Sequence, residues 1–121
     1  MKKVLLVLLA ITPLHAFADF IHPMDFDGSE AQKKRVVEIV KARVKKDYCE
    51  GVIDMCQDTT LRMMEKQNLD AFKQATAAAD RKIMDRVIKD YCGGAVDMCN
   101  YSTIMMMYNQ NFQASQKKLN W

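Results

Sequence analysis

Lys46-Asp47-Tyr48-Cys49-Glu50-Gly51-Val52-Ile53-Asp54-Met55-Cys56 returns 43 residues later as Lys89-Asp90-Tyr91-Cys92-Gly93-Gly94-Ala95-Val96-Asp97-Met98-Cys99. A repeat outranks local signals, because it says that one folding unit is present twice. This one takes in all four cysteines of the 121-residue chain. On a continuous helix, residues seven apart lie about 10.5 Å from each other along the axis. A disulfide needs Cα atoms roughly 4.4–6.8 Å apart. Pairing within a copy therefore requires the chain to turn a corner between its cysteines, and Gly51 and the Gly93-Gly94 pair stand there. The spacing favours Cys49–Cys56 and Cys92–Cys99. The alternative is a symmetric cross-link of the copies, Cys49–Cys99 with Cys56–Cys92.

Glycine accepts positive φ and often ends helices. A first helix is thus expected to stop near Cys49 and a third near Cys92. Asp54 and Asp97 are candidate N-caps for the helices that follow. Ser29-x-x-Gln32 reads as a capping box that opens the first helix, with Val36, Val37, Val40, Val44 and Tyr48 on its buried face. The second helix is expected over 57–76, with Leu61, Met64, Leu69 and Phe72 inward. The third covers 79–92, with Ile83, Val87, Ile88 and Tyr91 inward. The fourth covers 99–118, with Ile104, Met107, Tyr108 and Phe112 inward. No strong breaker separates the middle two, which leaves open whether they form one long helix. No run alternates with period two. The fold class is all-α: a small disulfide-stapled helical bundle of two tandem helix–corner–helix repeats.

The first 18 residues read as a cleaved export signal. Lys2 and Lys3 are basic, Val4 to Ile11 are apolar, and Ala16-Phe17-Ala18 fits the cleavage rule, so the cut falls before Asp19. The apolar run is shorter than the roughly 20 residues of a membrane span. Residues 19–28 read as an extended arm and 29–121 as a single helical domain, with repeat 1 over 29–76 and repeat 2 over 77–119. Export to the periplasm or the medium means an oxidising compartment, in which an even number of cysteines forms structural disulfides. Without Lys2 and Lys3, 16 basic residues face 15 acidic ones, a net charge of +1. No basic field for nucleic acid is present. Lys33-Lys34-Arg35 and Lys45-Lys46 read as a solvated helix face.

The likeness of the copies extends past the corners. Between 43–71 and 86–114, sixteen of 29 aligned positions are identical. Thr60, Met63, Met64, Gln67, Asn68 and Ala71 match Thr103, Met106, Met107, Gln110, Asn111 and Ala114. Their spacing defines one helix face, the candidate interface of the protein. The simplest arrangement sets the two faces against each other across a pseudo-twofold axis; a second chain is the other occupant. The amides on that face are either buried and mutually bonded or exposed for binding.

Chemical constellations are few. Redox centres favour Cys-x-x-Cys, and four-cysteine zinc sites favour shorter spacers; neither is present. Nine methionines lie beyond Met1, Met105-Met106-Met107 among them, and thioethers can bind Cu(I) or fill gaps in a small core. Asp25-x-Asp27-Gly28 lacks the other ligands of a calcium loop. The recurring acids Asp47/Asp90 and Asp54/Asp97 sit at helix ends, and Asp47 and Asp90 have Lys46/Lys89 and Arg43/Arg86 as candidate partners. Serine nucleophiles have only His22, in the arm, as a base. The expectations are therefore no catalytic residues, no metal and no cofactor.

The layout resembles that of periplasmic immunity proteins that block cell-wall-degrading effectors, and that of small periplasmic chaperones; the likeness fixes no residues. The leading expectation is a non-catalytic exported protein that binds a protein partner, as an immunity or inhibitor protein against an envelope-targeting effector. The alternatives are a Met-rich periplasmic copper-binding protein and a homodimeric envelope structural or stress protein.

Overall fold

The computed structural model describes residues 20–121. Its elements are a short 3-10 turn at Pro23–Asp25 and four helices: α1 (Glu30–Cys49), α2 (Asp58–Thr76), α3 (Arg81–Cys92) and α4 (Tyr101–Ser115). No strand occurs among the described residues. This is the all-α, disulfide-stapled bundle that the repeat implies. The expected leader lies outside the described residues.

α1 begins where its signature puts it. Ser29 Oγ accepts from the Gln32 amide at 3.2 Å. Gln32 Oε1 reaches back to the Asp27 amide at 2.9 Å, not to that of Ser29, which donates instead to Asp27 Oδ1 at 2.8 Å. Gly28 enters this cap with φ +76°, a conformation that a Cβ strains. Val36, Val40 and Val44 are buried, whereas Val37 is 36% exposed.

Both corners are built alike. The Met55 amide donates to the Tyr48 carbonyl and the Met98 amide to that of Tyr91, each at 3.1 Å. The Cys56 amide donates to Asp54 Oδ1 and the Cys99 amide to Asp97 Oδ1, again at 3.1 Å. Disulfides Cys49–Cys56 and Cys92–Cys99 close the corners, with Cα separations of 4.5 and 4.4 Å. Two expectations are corrected here. Asp54 and Asp97 do not cap the following helices, because each carboxylate is committed to an Asx turn two residues on. α2 instead starts after Gln57 with no side-chain cap, and α4 after Asn100, whose Oδ1 accepts from Thr103 at 2.9 Å. Nor does either corner use positive φ: the chain leaves α1 at Glu50 (φ −109°) and α3 at Gly93 (φ −105°). The corner glycines provide room. A Cβ on Gly94 would stand 2.8 Å from the Asp90 carbonyl oxygen, and one on Gly51 3.2 Å from that of Asp47.

α2 and α3 are separate helices. Asp80 Oδ1 caps α3 through the Ile83 amide at 3.0 Å. The amides of Ala79 and Asp80 both donate to the Tyr108 hydroxyl, at 3.0 and 2.9 Å. A residue of α4 thus accepts the amides that a continuous helix would have bonded internally.

The helices lie in the order α1, α2, α4, α3, with α2 against α4 the largest pairing. The core runs from Val36, Val40 and Val44 through Phe72 and Ala75 to Met84, Val87 and Ile104. Phe72 meets Tyr101 edge-on at 4.8 Å and Phe26 at 5.2 Å between ring centroids. Such ring pairs add to the area they bury and bind the arm to the bundle. Phe20 stacks on Tyr101 at 5.4 Å, and the Tyr101 hydroxyl donates to the Ile21 carbonyl at 3.0 Å. Burial pushes this phenol up to about 12, against the opposing effect of the Ile21 bond. Arg81 pairs with Asp25 and His22 with Asp85, fastening the arm to the N-terminal half of α3.

Candidate functional site

The structure divides the face that the two copies share. Asn68 is 5% exposed. Its Nδ2 donates to the Met64 carbonyl at 2.9 Å, and its Oδ1 accepts from the Ser102 amide at 3.2 Å, so it holds the first turn of α4. Asn111 makes the same local bond, to the Met107 carbonyl at 2.8 Å, but is exposed. Gln67 and Gln110 are also exposed, and Thr60, Met64, Thr103 and Met107 are half-buried. The matching amides therefore do not pair with each other. A twofold axis would return each contact in mirror order, and Asn111 does not return what Asn68 gives.

Between α2 and α4 lies an open groove of about 560 Å³. Met63, Lys66, Gln67 and Asp70 line it from α2, and Ser102, Met105 and Met106 from α4. Met63 and Met106, one from each copy, are 60% and 52% exposed. The groove thus gathers four of the twelve residues of the shared face: Met63, Gln67, Ala71 and Met106. Lys66 bonds Asp70 across one helical turn at 2.6 Å and holds its carboxyl below the usual range. Ser102 Oγ is buried in the groove wall with no hydrogen-bond partner.

The corner end of the bundle carries a second arrangement. Arg43, on α1, donates to Asp47 Oδ2 at 2.9 Å, to Asp97 Oδ1 at 2.8 Å and to the Asp97 carbonyl at 3.0 Å. Lys46 adds a 3.4 Å contact to Asp97 Oδ2. Asp47 therefore meets one of its candidate partners. Charged hydrogen bonds of this forked kind are among the stronger ones. The hydrogen bond from Arg43, and next that from the Cys99 amide, lower the Asp97 carboxyl to about 2. Burial opposes the charge on Arg43, but its bonds to Asp47 and Asp97 outweigh this and raise it above its ordinary value. The second corner is thereby moored to the last turns of α1, next to the first corner. A groove of about 690 Å³ beside this joint is lined by Ile39 and Ala42 of α1 and by Cys92 and Cys99.

Around this joint the corners expose apolar side chains. Val52 is fully exposed, Ile53 72%, Val96 71%, Met55 47% and Met98 43%. Sequence reasoning missed this joint and the two tyrosine bridges. Arg43 and Asp97 were visible as recurring charges, but nothing in a helical pattern says that they meet across copies. Tyr101 and Tyr108 have no counterpart in the first copy, where Asp58 and Glu65 stand.

Among the described residues no cluster of three or more histidine, cysteine, aspartate or glutamate side chains could hold a metal, and no helix is long and apolar enough to cross a membrane. No protein-family model matches the chain, and no curated protein or solved structure was found to be similar to it.

Proposed function

We propose that this is a non-catalytic exported protein that binds a protein partner in the periplasm or outside the cell. Its specific form would be an immunity or inhibitor protein against an envelope-targeting effector. One observation carries this reading: Val52, Ile53 and Val96 stand exposed at one end of the bundle, on loops closed by disulfides. Exposed apolar clusters mark interaction surfaces. A tied loop loses less freedom on binding than a free one, so more of the contact energy remains as affinity. The test compares the oxidised protein with its Ile53→Asp variant as bait in periplasmic extract, and in lysis protection against the captured protein. The native bait retains a defined partner and suppresses its lytic activity, and Ile53→Asp loses both. Equal capture by the two baits would refute the corner as the binding surface.

A second reading rests on the groove. Met63, Met105 and Met106 bring three thioethers to one place, and Cu(I) favours such soft ligands. Native mass spectrometry of the oxidised protein with Cu(I) decides it: one bound ion, lost in Met106→Leu, supports the copper reading, and an unchanged mass ends it.

A further inference from the structure

The duplication has produced two copies of the corner joint, and only one is made within the chain. Arg43, Lys46, Asp47 and Asp54 recur as Arg86, Lys89, Asp90 and Asp97. Inside the molecule, Arg43 and Lys46 of the first copy hold Asp97 of the second. The converse set is Arg86 and Lys89 on α3 with Asp54 in the first corner. All three are exposed. Among the described residues Arg86 and Lys89 have no ion pair, and the Asp54 carboxylate accepts only the Cys56 amide of its own corner.

A twofold relation between the copies would have joined these residues; the observed contact instead runs one way, from the helix of copy one to the corner of copy two. Such a heterologous contact leaves an unused half at either end, and repetition of it adds further units until a ring closes or a filament grows. We propose that a second copy of this chain docks its first corner on α3, with Asp54 held by Arg86 and Lys89. The protein would then assemble head to tail through the joint it already makes internally.

Three features of the surfaces support this occupant. The corners share one hydrogen-bond pattern, so Asp54 is held by its own backbone in the same way as Asp97. Asp90 follows Arg86 by four residues, as Asp47 follows Arg43, and can hold the guanidinium in the same pose. At two of the positions where α3 differs from α1, Arg81 in place of Glu38 and Asp85 in place of Ala42, the arm already engages the side chains through Asp25 and His22. Arg86 and Lys89, which the copies share, stay outside that engagement. The apolar tips are not used up either, since Val96 remains 71% exposed in the internal joint. The assembly is therefore independent of the partner surface proposed above, and Ile53→Asp leaves it intact.

Sedimentation velocity of the oxidised chain, from micromolar to millimolar at low salt, tests the proposal. The average mass should climb past two copies with concentration and fall back when salt is added, because exposed ion pairs are screened. Arg86→Glu and Asp54→Lys should each lower the association constant roughly tenfold or more. Both positions are on the surface; Asp54→Lys also removes the acceptor of the Cys56 amide and should cost some stability, so a cooperative thermal transition in each variant is what shows that it folds. Mixing the two variants in equal amounts should restore assembly in alternating order, since each joint between unlike variants again brings opposite charges together. A single-copy mass up to millimolar concentration, a species that stops at a dimer, or growth indifferent to both substitutions would overturn the proposal.

Discussion

Tyr108→Phe should loosen the bundle at a point where the local sequence calls for a helix. The Tyr108 ring is buried, 3% exposed, and stacks on Phe112 with centroids 5.8 Å apart. Phenylalanine keeps that packing and removes only the oxygen. The oxygen accepts two amides, from Ala79 and Asp80, and nothing else among the described residues takes them. A lost hydrogen bond costs about 1 kcal/mol, and a donor left without a partner about 1–3 kcal/mol. Ala79 itself is exposed, so water can take part of its share. The expected loss is therefore about 2 kcal/mol, the low end for two donors. For a chain of this size each kcal/mol corresponds to roughly 4–8 °C, so the melting point should drop by about 8 °C or more. Urea unfolding of the oxidised protein at neutral pH measures the energy. Hydrogen exchange locates it: the amides of Ala79 and Asp80 should lose protection while those in the middle of α1 keep theirs. Tyr91→Phe is the control, because its hydroxyl has no bond among the described residues, and it should stay within about 0.5 kcal/mol of the parent. If Tyr108→Phe also stays within about 0.5 kcal/mol, or the two amides keep their protection, the tyrosine does not hold the break open, and the account of α2 and α3 fails.

Gly94→Ala should destabilise more than Gly51→Ala, although the two glycines correspond, because the added carbon lies 2.8 Å from a backbone oxygen in the first case and 3.2 Å in the second; equal melting points would refute the steric account. The Asp97 carboxyl, lowered from 3.8 to about 2 in the fold, takes up protons more readily when unfolded. Its contribution is therefore complete above about pH 4 and disappears as the pH falls through the folded value. Since the side chain is 49% exposed, solvent reduces that contribution to roughly 1 kcal/mol. Asp97→Asn should cost this much at neutral pH and flatten the acid limb of the stability curve between about pH 4 and pH 2, leaving the slope due to Asp25, Asp27 and Asp70; an unaltered limb would show that the joint does not contribute.

What the sequence disclosed and what it hid separate by range. The corners were legible because two cysteines seven apart cannot bond across a straight helix, a constraint that lies wholly within eleven residues. The start of α1 was legible at Ser29 and Gln32 for the same reason. The break between α2 and α3 was not. Ala77, Ala78 and Ala79 are the strongest helix formers available, and the residue that overrides them stands in another helix. The capping roles of Asp54 and Asp97 were misjudged because one carboxylate oxygen can serve an Asx turn or a helix cap, and the turn is nearer. The uneven burial of the candidate face was hidden for a more general reason. Asn68 and Asn111 occupy the same repeat position and bond the same carbonyl four residues back, yet one is buried and the other faces solvent. Identity between copies reports what each does to its own backbone. Its surroundings depend on place in the stack, and the described residues hold two places. Asn68 has the start of α4 beside it, and Asn111 has no such helix start beside it among the described residues. The same asymmetry separates Asp97, which finds Arg43, from Asp54, which finds no cation among the described residues. A residue kept in both copies thus makes the same local bond twice and meets the other copy once, as Asn68 and Asp97 do and Asn111 and Asp54 do not among the described residues.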